Sequence, residues 1–300
     1  MLNKLWVKLI DWRLLLVIVL VIAGIFSLAR LGLFGHKGAE VTSNLSQKVA
    51  GGGFEFSEEQ KMKAKIPLGR LRSGGPPKDG IPSIDNPQFV TSSEAEKFLK
   101  SDDPVLGLVY KGIVRAYPHR IMNWHEIVND TLPSSGQAAG DPILVTYCPL
   151  CFTGIAFERK IDGQETTFGV SGKLYNSNLV MYDRSSETLW NQLGGEAIIG
   201  KHVGKKLKQI PLETILWRDW KTKHPNTQVL STDTGYNRNY DANPYEGYET
   251  NQDTFGTEFE DERLHPKAKI WGIEIDGQFK AYSDEALRQA QGKLTDEFAG

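Results

Sequence analysis

Cysteine is nearly missing from this chain of 300 residues, which holds two, Cys148 and Cys151. Zinc sites of the knuckle type normally carry a second pair, so a metal held by these thiols must draw its other ligands from His, Met or carboxylates. Excess charge of one sign is missing too. With 35 Lys and Arg against 37 Asp and Glu, the net charge is −2, and there is no basic field of the kind that nucleic-acid binding requires. Serine-hydrolase and phosphate-loop motifs are also absent. Long apolar runs are limited to one.

That run is Leu14–Ala29, preceded by Lys4, Lys8 and Arg13 and followed by Arg30. A spanning helix wants about 20 apolar residues, a length that Leu31–Phe34 supplies if Arg30 snorkels. Ser27-Leu28-Ala29 has the small-x-small form of a signal-peptidase site, so residues 1–34 read as a transmembrane anchor or a cleaved signal. With the positive charges on the N-terminal side, either reading sends the rest of the chain to the periplasm or an equivalent extracytoplasmic space. Cysteines are free to oxidise there.

Residues 35–80 read as a flexible linker. They contain Gly51-Gly52-Gly53, a basic run from Lys61 to Arg72 and Ser73-Gly74-Gly75-Pro76-Pro77, with little apolar periodicity. Residues 81–300 then turn strand-rich. The expected fold class is α+β, mainly antiparallel β-sheet with short peripheral helices, following the N-terminal membrane helix. Val105–Tyr110, a turn at Lys111-Gly112 and Ile113–Tyr117 form a hairpin pattern, and Ile270–Ile275, Asp276-Gly277 and Gln278–Tyr282 repeat it. Each copy precedes a short helical stretch, 118–128 and 283–289, which suggests a duplicated unit paired across one sheet or flanking the functional part.

Cys148-Pro149-Leu150-Cys151 follows the apolar run Ile143–Tyr147 and precedes a strand pattern from Ile155, a turn at Asp162-Gly163 and a second strand from Glu165 to Val170. A thioredoxin-type pair sits at a helix N-terminus, where the dipole favours the thiolate. A pair between strands disfavours that fold. In the stretch after the first hairpin, Ile121, Trp124, His125 and Val128 share one helical face, so His125 should point inward, either satisfied by a backbone carbonyl or serving as ligand or proton relay beside the cysteines. His119 should lie on another face. Further on, if residues 185–188 form a hairpin loop, Asp183 pairs opposite Trp190 and Met181 opposite Gln192, and all four line one surface. The tyrosine-rich stretch from Asp233 to Tyr248 reads as an ordered loop, either a lid or a structural element.

Gly80–Pro87, Asn123–Asp130, Thr146–Cys151, Gly169–Gly172 with Leu174, and Met181–Arg184 through Leu189-Trp190 and Gln192 together resemble the DUF3179 family, a domain of unknown function, over residues 80–285. The resemblance implies a mostly bacterial and archaeal, often exported protein without an established activity. Phe152 departs from the small residue, such as Gly or Asn, expected after the second cysteine, which counts against a tight metal knuckle.

Three readings of the cysteine pair follow. In the first, Cys148 and Cys151 cycle between dithiol and disulfide with a protein or small-molecule redox partner and no cofactor. Cys148 is then the attacking or exposed thiol and Cys151 the resolving one, with His125 or Asp183 tuning the proton. The second is a soft-metal site for copper or zinc built from Cys148, Cys151, His125 and Met181. The third is a structural disulfide in a binding or scaffold protein.

Overall fold

Strand-forming runs separated by turn residues dominate the chain, and they assemble into three larger sheets flanked by short helices. The computed structural model describes residue 57 and residues 63–134, 137–255, 257–258, 261–291 and 293–298. The anchor or signal expected over residues 1–34 lies outside the described residues, as do 35–56 and 58–62 of the expected linker. Among the described residues no helix is long and apolar enough to cross a membrane.

In chain order the first elements are β1 (Leu71–Ser73), β2 (Phe89–Thr91), α1 (Ser92–Ala95), β3 (Pro104–Tyr110), β4 (Ile113–Pro118), α2 (His119–His125), β5 (Ile127–Ser134), β6 (Gln137–Cys148) and β7 (Thr153–Glu158). Then come β8 (Lys160–Ile161), β9 (Gln164–Glu165), β10 (Phe168–Tyr175), β11 (Asn178–Asp183), β12 (Leu189–Asn191), β13 (Glu196–Ile199), β14 (Gln209–Ile210) and β15 (Leu212–Leu216). The last are α3 (Trp217–Lys223), β16 (Gln228–Leu230), β17 (Ile270–Ile275), β18 (Gln278–Ser283) and α4 (Asp284–Gln289). The fold is α+β and strand-rich, as expected.

The three sheets run β1-β10-β11-β12-β13, β14-β7-β6-β5 and β15-β3-β4-β16-β2. Pairing is antiparallel except between β16 and β4. The β14-β7-β6-β5 sheet is central because both of its faces are apolar. Ile143, Val145 and Tyr147 join a cluster with Leu106, Leu108 and Tyr117 of the third sheet and Ile121 and Met122 of α2. Leu144 and Cys148, of opposite parity, join Phe168, Met181 and Trp190 of the first sheet. A strand buried on both faces reads as a continuous apolar run, which explains Ile143–Tyr147. Two polar ties fix the layers. Asn129 of β5 exchanges two 2.8 Å hydrogen bonds with the backbone of Phe168, and buried Asp130 accepts from Arg115 and from the Tyr117 hydroxyl of β4.

Residues 63–80 are part of this fold rather than a free linker. Ala64 bridges to Ile199, β1 pairs with β10, and Ala64, Ile66, Leu68 and Leu71 pack on the outer face of the first sheet. The alternation at 64, 66 and 68 sits between lysines and a proline, which disguised a period-2 pattern as a basic run. Both expected hairpins form. Their turns at Lys111-Gly112 and Asp276-Gly277 hold φ of 50° and 82°, and 50° and 76°, the pattern of two positive values that a type I′ turn demands. The copies do not pair across one sheet: β3 and β4 lie inside the third sheet, whereas β17 and β18 form a separate two-stranded ribbon.

Candidate functional site

Helix α2 ends earlier than its apolar period suggested. Glu126 turns left-handed at φ 57°, so Ile127 and Val128 enter β5 instead of extending the helix. The Glu126 carbonyl accepts from the Tyr147 N–H at 2.8 Å, placing this residue beside the end of β6. Cys148 closes that strand opposite Thr153, and the four residues between them turn the chain back, with Phe152 at φ 52°. The cysteines therefore join two strands, not a strand and a helix.

Strand parity separates the two thiols. Cys148 points into the apolar cluster and is 1% exposed, whereas Cys151 stands in the turn at the surface. Both are free thiols, and the two residues come within 3.0 Å of each other. This reverses the expected exposure, which put Cys148 at the surface. The chain order had suggested the wrong one, because the turn and not the strand end faces solvent.

Asn178, the first residue of β11, directs its Nδ2 at Cys151 Sγ from 3.2 Å. Its amide is held in turn. Nδ2 also donates to Gln192 Oε1 at 2.8 Å, Oδ1 accepts from Leu193 N at 3.0 Å, and Gln192 Nε2 donates to Thr146 Oγ1 and the Thr153 carbonyl at 3.0 and 3.1 Å. Asn178 is set at this height by the Asn176-Ser177 turn, whose φ values are 48° and 61°, and the Ser177 carbonyl faces Cys148 Sγ at 3.7 Å.

These contacts polarise the pair. Hydrogen bonding from the Cys148 thiol, with Thr153 and Asn178 adding to it, outweighs burial and lowers the Cys151 pKa to about 7. Burial, with the neighbouring sulfur and the Glu126 charge, pushes Cys148 well above the usual thiol range. Glu126 is 7% exposed, and burial raises its carboxyl to about 7 against a single hydrogen bond from the Tyr245 hydroxyl at 3.2 Å. An acidic exposed thiol beside a buried, protonated one is the arrangement that thiol exchange uses.

The other expected participants are placed elsewhere. His125 is fully buried, but its Nδ1 meets the Pro82 carbonyl at 2.8 Å and its Nε2 the Tyr240 hydroxyl at 2.6 Å. Both nitrogens are thus committed, and neither contacts a cysteine. Asp183 accepts from Ser185 Oγ, Ser186 N and Oγ, and Trp190 Nε1, which organises its own loop. Met181, Asp183, Trp190 and Gln192 share a buried face as expected, but in a register shifted by two: Met181 pairs opposite Trp190. Of the four, Gln192 reaches the cysteine site through Asn178, and Met181 and Trp190 share the apolar cluster of Cys148. Among the described residues no group of three or more His, Cys, Asp and Glu is arranged to hold a metal ion.

Several site residues escaped the sequence. Asn178 lies in a polar turn that carries no motif of its own, and Glu126 falls off the apolar helical stripe. His119, expected on a different face from His125, stacks on Tyr147 at 4.3 Å and Phe152 at 5.0 Å. Neither ring nitrogen has a hydrogen-bond partner among the described residues, and burial, aided by the charge of Lys269, lowers its pKa to about 3. Phe152 thus roofs a neutral histidine under the cysteine turn, a use for a large residue at that position.

A family model described as a protein of unknown function, DUF3179, matches residues 78–300. The chain belongs to the DUF3179 family. The matched stretch includes every residue of the cysteine site and the tyrosine-rich segment above it, so the geometry described here lies wholly within the DUF3179 region. No curated protein and no solved structure matches the chain.

Proposed function

We propose that this DUF3179 protein is a membrane-tethered, extracytoplasmic thiol–disulfide exchange protein that works through Cys148 and Cys151. The observation that carries the reading is the exposed Cys151 thiol, held by the Asn178 amide at 3.2 Å, directly beside buried Cys148. Cys151 as thiolate attacks one sulfur of a partner disulfide, a new S–S bond forms, and the partner's other sulfur leaves as a thiolate that takes up a proton. Cys148 then gives up its proton and attacks Cys151 Sγ. The mixed disulfide breaks, a second partner thiol leaves, and two electrons have passed from the protein to the partner. Run backwards, the same steps oxidise a partner dithiol.

No cofactor enters these steps. The copper or zinc alternative asked for His125 as a ligand, and both of its nitrogens are engaged by Pro82 and Tyr240. The tether rests on Lys4, Lys8 and Arg13 ahead of Leu14–Ala29, which by the positive-inside rule leaves the thiols in an oxidising compartment. Alkylation of protein taken from its native compartment, with and without reductant, tests the reading. A difference of two thiols per chain is expected, with a reduction potential above the structural range of about −300 mV. Stoichiometric copper or zinc lost on Cys148→Ser, or a pair that no glutathione ratio can reduce, would replace it.

A further inference from the structure

Glu126 carries a buried carboxyl in a place that folding alone does not favour. Its backbone is pinned from both sides, the N–H on the Met122 carbonyl and the carbonyl on Tyr147 N, each at 2.8 Å. Between these bonds it holds a left-handed φ of 57°, a conformation that strains any residue with a Cβ. A glycine would remove that strain, yet the position holds an acid, 7% exposed, and none of the ion pairs formed by the described residues includes it.

The groups around it are mostly acidic or neutral. From β6 and the following turn come Tyr147, Cys148 and Cys151; from the segment after β16 comes Tyr245, with Tyr248 facing the cysteines and Glu249 facing Tyr147; His125 precedes it on α2. Cations near these groups include Lys269, whose Nζ lies 4.0 Å from the Phe152 ring centroid and 4.0 Å from Glu249, and Arg238, which lies 5.8 Å from the Trp124 ring centroid and acts on His125. The Glu126 carboxyl is left with the Tyr245 hydroxyl as its hydrogen-bond partner. The segment that delivers Tyr245 is laid along α2 residue by residue: Tyr240 on His125, Asp241 on Arg120, the Ala242 carbonyl on Trp124 and Asn243 on Asn123. Tyr245 is therefore a fixed contact.

We propose that Glu126 is the proton acceptor for Cys148 in the resolving step, and that Tyr245 positions its carboxylate; this rests on the exchange reading above. Cys148 is sealed from bulk water and holds its proton firmly, so an internal base is needed before it can attack. Its proton passes to Glu126, directly or through one water, as the Cys148 thiolate forms. That thiolate makes the bond to Cys151 Sγ, the bond from Cys151 to the partner sulfur breaks, and the leaving thiolate is protonated by solvent or by Glu126. The histidines do not compete for this role: His125 is committed at both nitrogens, and His119 is held neutral by burial with a pKa of about 3.

The test uses the reduced full chain and glutathione disulfide, quenched with acid and read by mass. Wild type should show two phases, a mixed disulfide on Cys151 and then the internal disulfide with release of the second glutathione. In Glu126→Gln the first phase should stay within about threefold, while the second slows about tenfold or more at pH 7, within the range for removing a general base. The second-phase rate of wild type should rise with pH through about 7, the carboxyl range set by burial, and that inflection should vanish in the variant. Tyr245→Phe supplies a second measurement that leaves the acid in place. Because the tyrosine bond lowers the Glu126 pKa, its loss should move the inflection to higher pH. A variant that resolves at the wild-type rate with the wild-type profile, or an inflection unmoved in Tyr245→Phe, overturns the role of Glu126 while leaving exchange intact. A wild-type chain that shows neither phase overturns the exchange reading itself, and the role of Glu126 with it.

Discussion

Replacing Asn178 by alanine removes the amide that points at Cys151 Sγ from 3.2 Å. A hydrogen bond to a charged acceptor is worth about 1.5–3 kcal/mol when buried. Cys151 is exposed, so solvent takes back part of this, and about 1 kcal/mol is the reasonable share. At about 1.36 kcal/mol per unit, the thiol pKa should rise by about 0.7 from its value of about 7. The thiolate fraction at pH 7 then falls from about one half to about one sixth, while each thiolate becomes about twofold more nucleophilic, given a Brønsted slope of about 0.4–0.5. Alkylation by iodoacetamide at pH 7 should therefore slow by less than about twofold, whereas the plateau rate above pH 9 should rise about twofold. The pH–rate profile reads both. Asn178→Asp keeps the acceptor for Leu193 N but sets a carboxylate against the thiolate, so its midpoint should move further than that of the alanine variant. Unchanged midpoints in both variants would refute the claim that Asn178 tunes Cys151.

The remaining predictions concern stability. His119 has its pKa lowered to about 3, so below about pH 6.5 the unfolded chain binds a proton that the native chain refuses, and stability falls as pH drops through that window. Glu126 has its pKa raised to about 7, so between about pH 4.5 and 7 the native chain holds a proton that the unfolded chain has lost, and stability falls as pH rises. The two slopes oppose each other between about pH 4.5 and 6.5, each at most about 1.4 kcal/mol per pH unit. Urea titrations of wild type should be nearly flat there as far as these two groups decide it, and Glu126→Gln should leave stability rising with pH; an equally flat variant would contradict the assignment. Gly107→Ala would put a Cβ 2.3 Å from Trp220 Cζ3 in a fully buried contact, and overpacking of this kind costs about 1–3 kcal/mol. The melting temperature should drop by several degrees, and an unchanged value would mean that β3 and α3 pack more loosely than the structure has them.

Much of the architecture could be read from local chemistry. Lys111-Gly112 and Asp276-Gly277 specify two-residue turns, and Pro118 marks the start of α2. The shared face of Met181, Asp183, Trp190 and Gln192 follows from strand parity, which a register error of two does not disturb. The register itself was hidden because Asp183 caps its own loop through Ser185 and Ser186, so that its N–H meets the Thr188 carbonyl at 3.2 Å and the four-residue loop is 184–187, one residue earlier than 185–188. Which cysteine is exposed depends on Cys148 belonging to a strand with two buried faces, and that is a property of the sheets above and below it. Glu126 was hidden for a related reason: a helical stripe predicts which residues face inward only while the helix continues, and the chain leaves it at that residue. Asn178 and Tyr245 come from segments distant in sequence, brought to the thiols by β11 and by the contacts along α2.

The most direct measurement compares the two thiols in the reduced, folded full-length chain. After a brief exposure to iodoacetamide at pH 7 and digestion, Cys151 should carry label at least about tenfold ahead of Cys148, since the thiolate is the reactive species and Cys148 is both buried and protonated. With glutathione disulfide, Cys148→Ser should then hold a stable mixed disulfide on Cys151, and Cys151→Ser should form none. Equal labelling, or Cys148 labelled first with its mixed disulfide trapped in Cys151→Ser, would contradict the account.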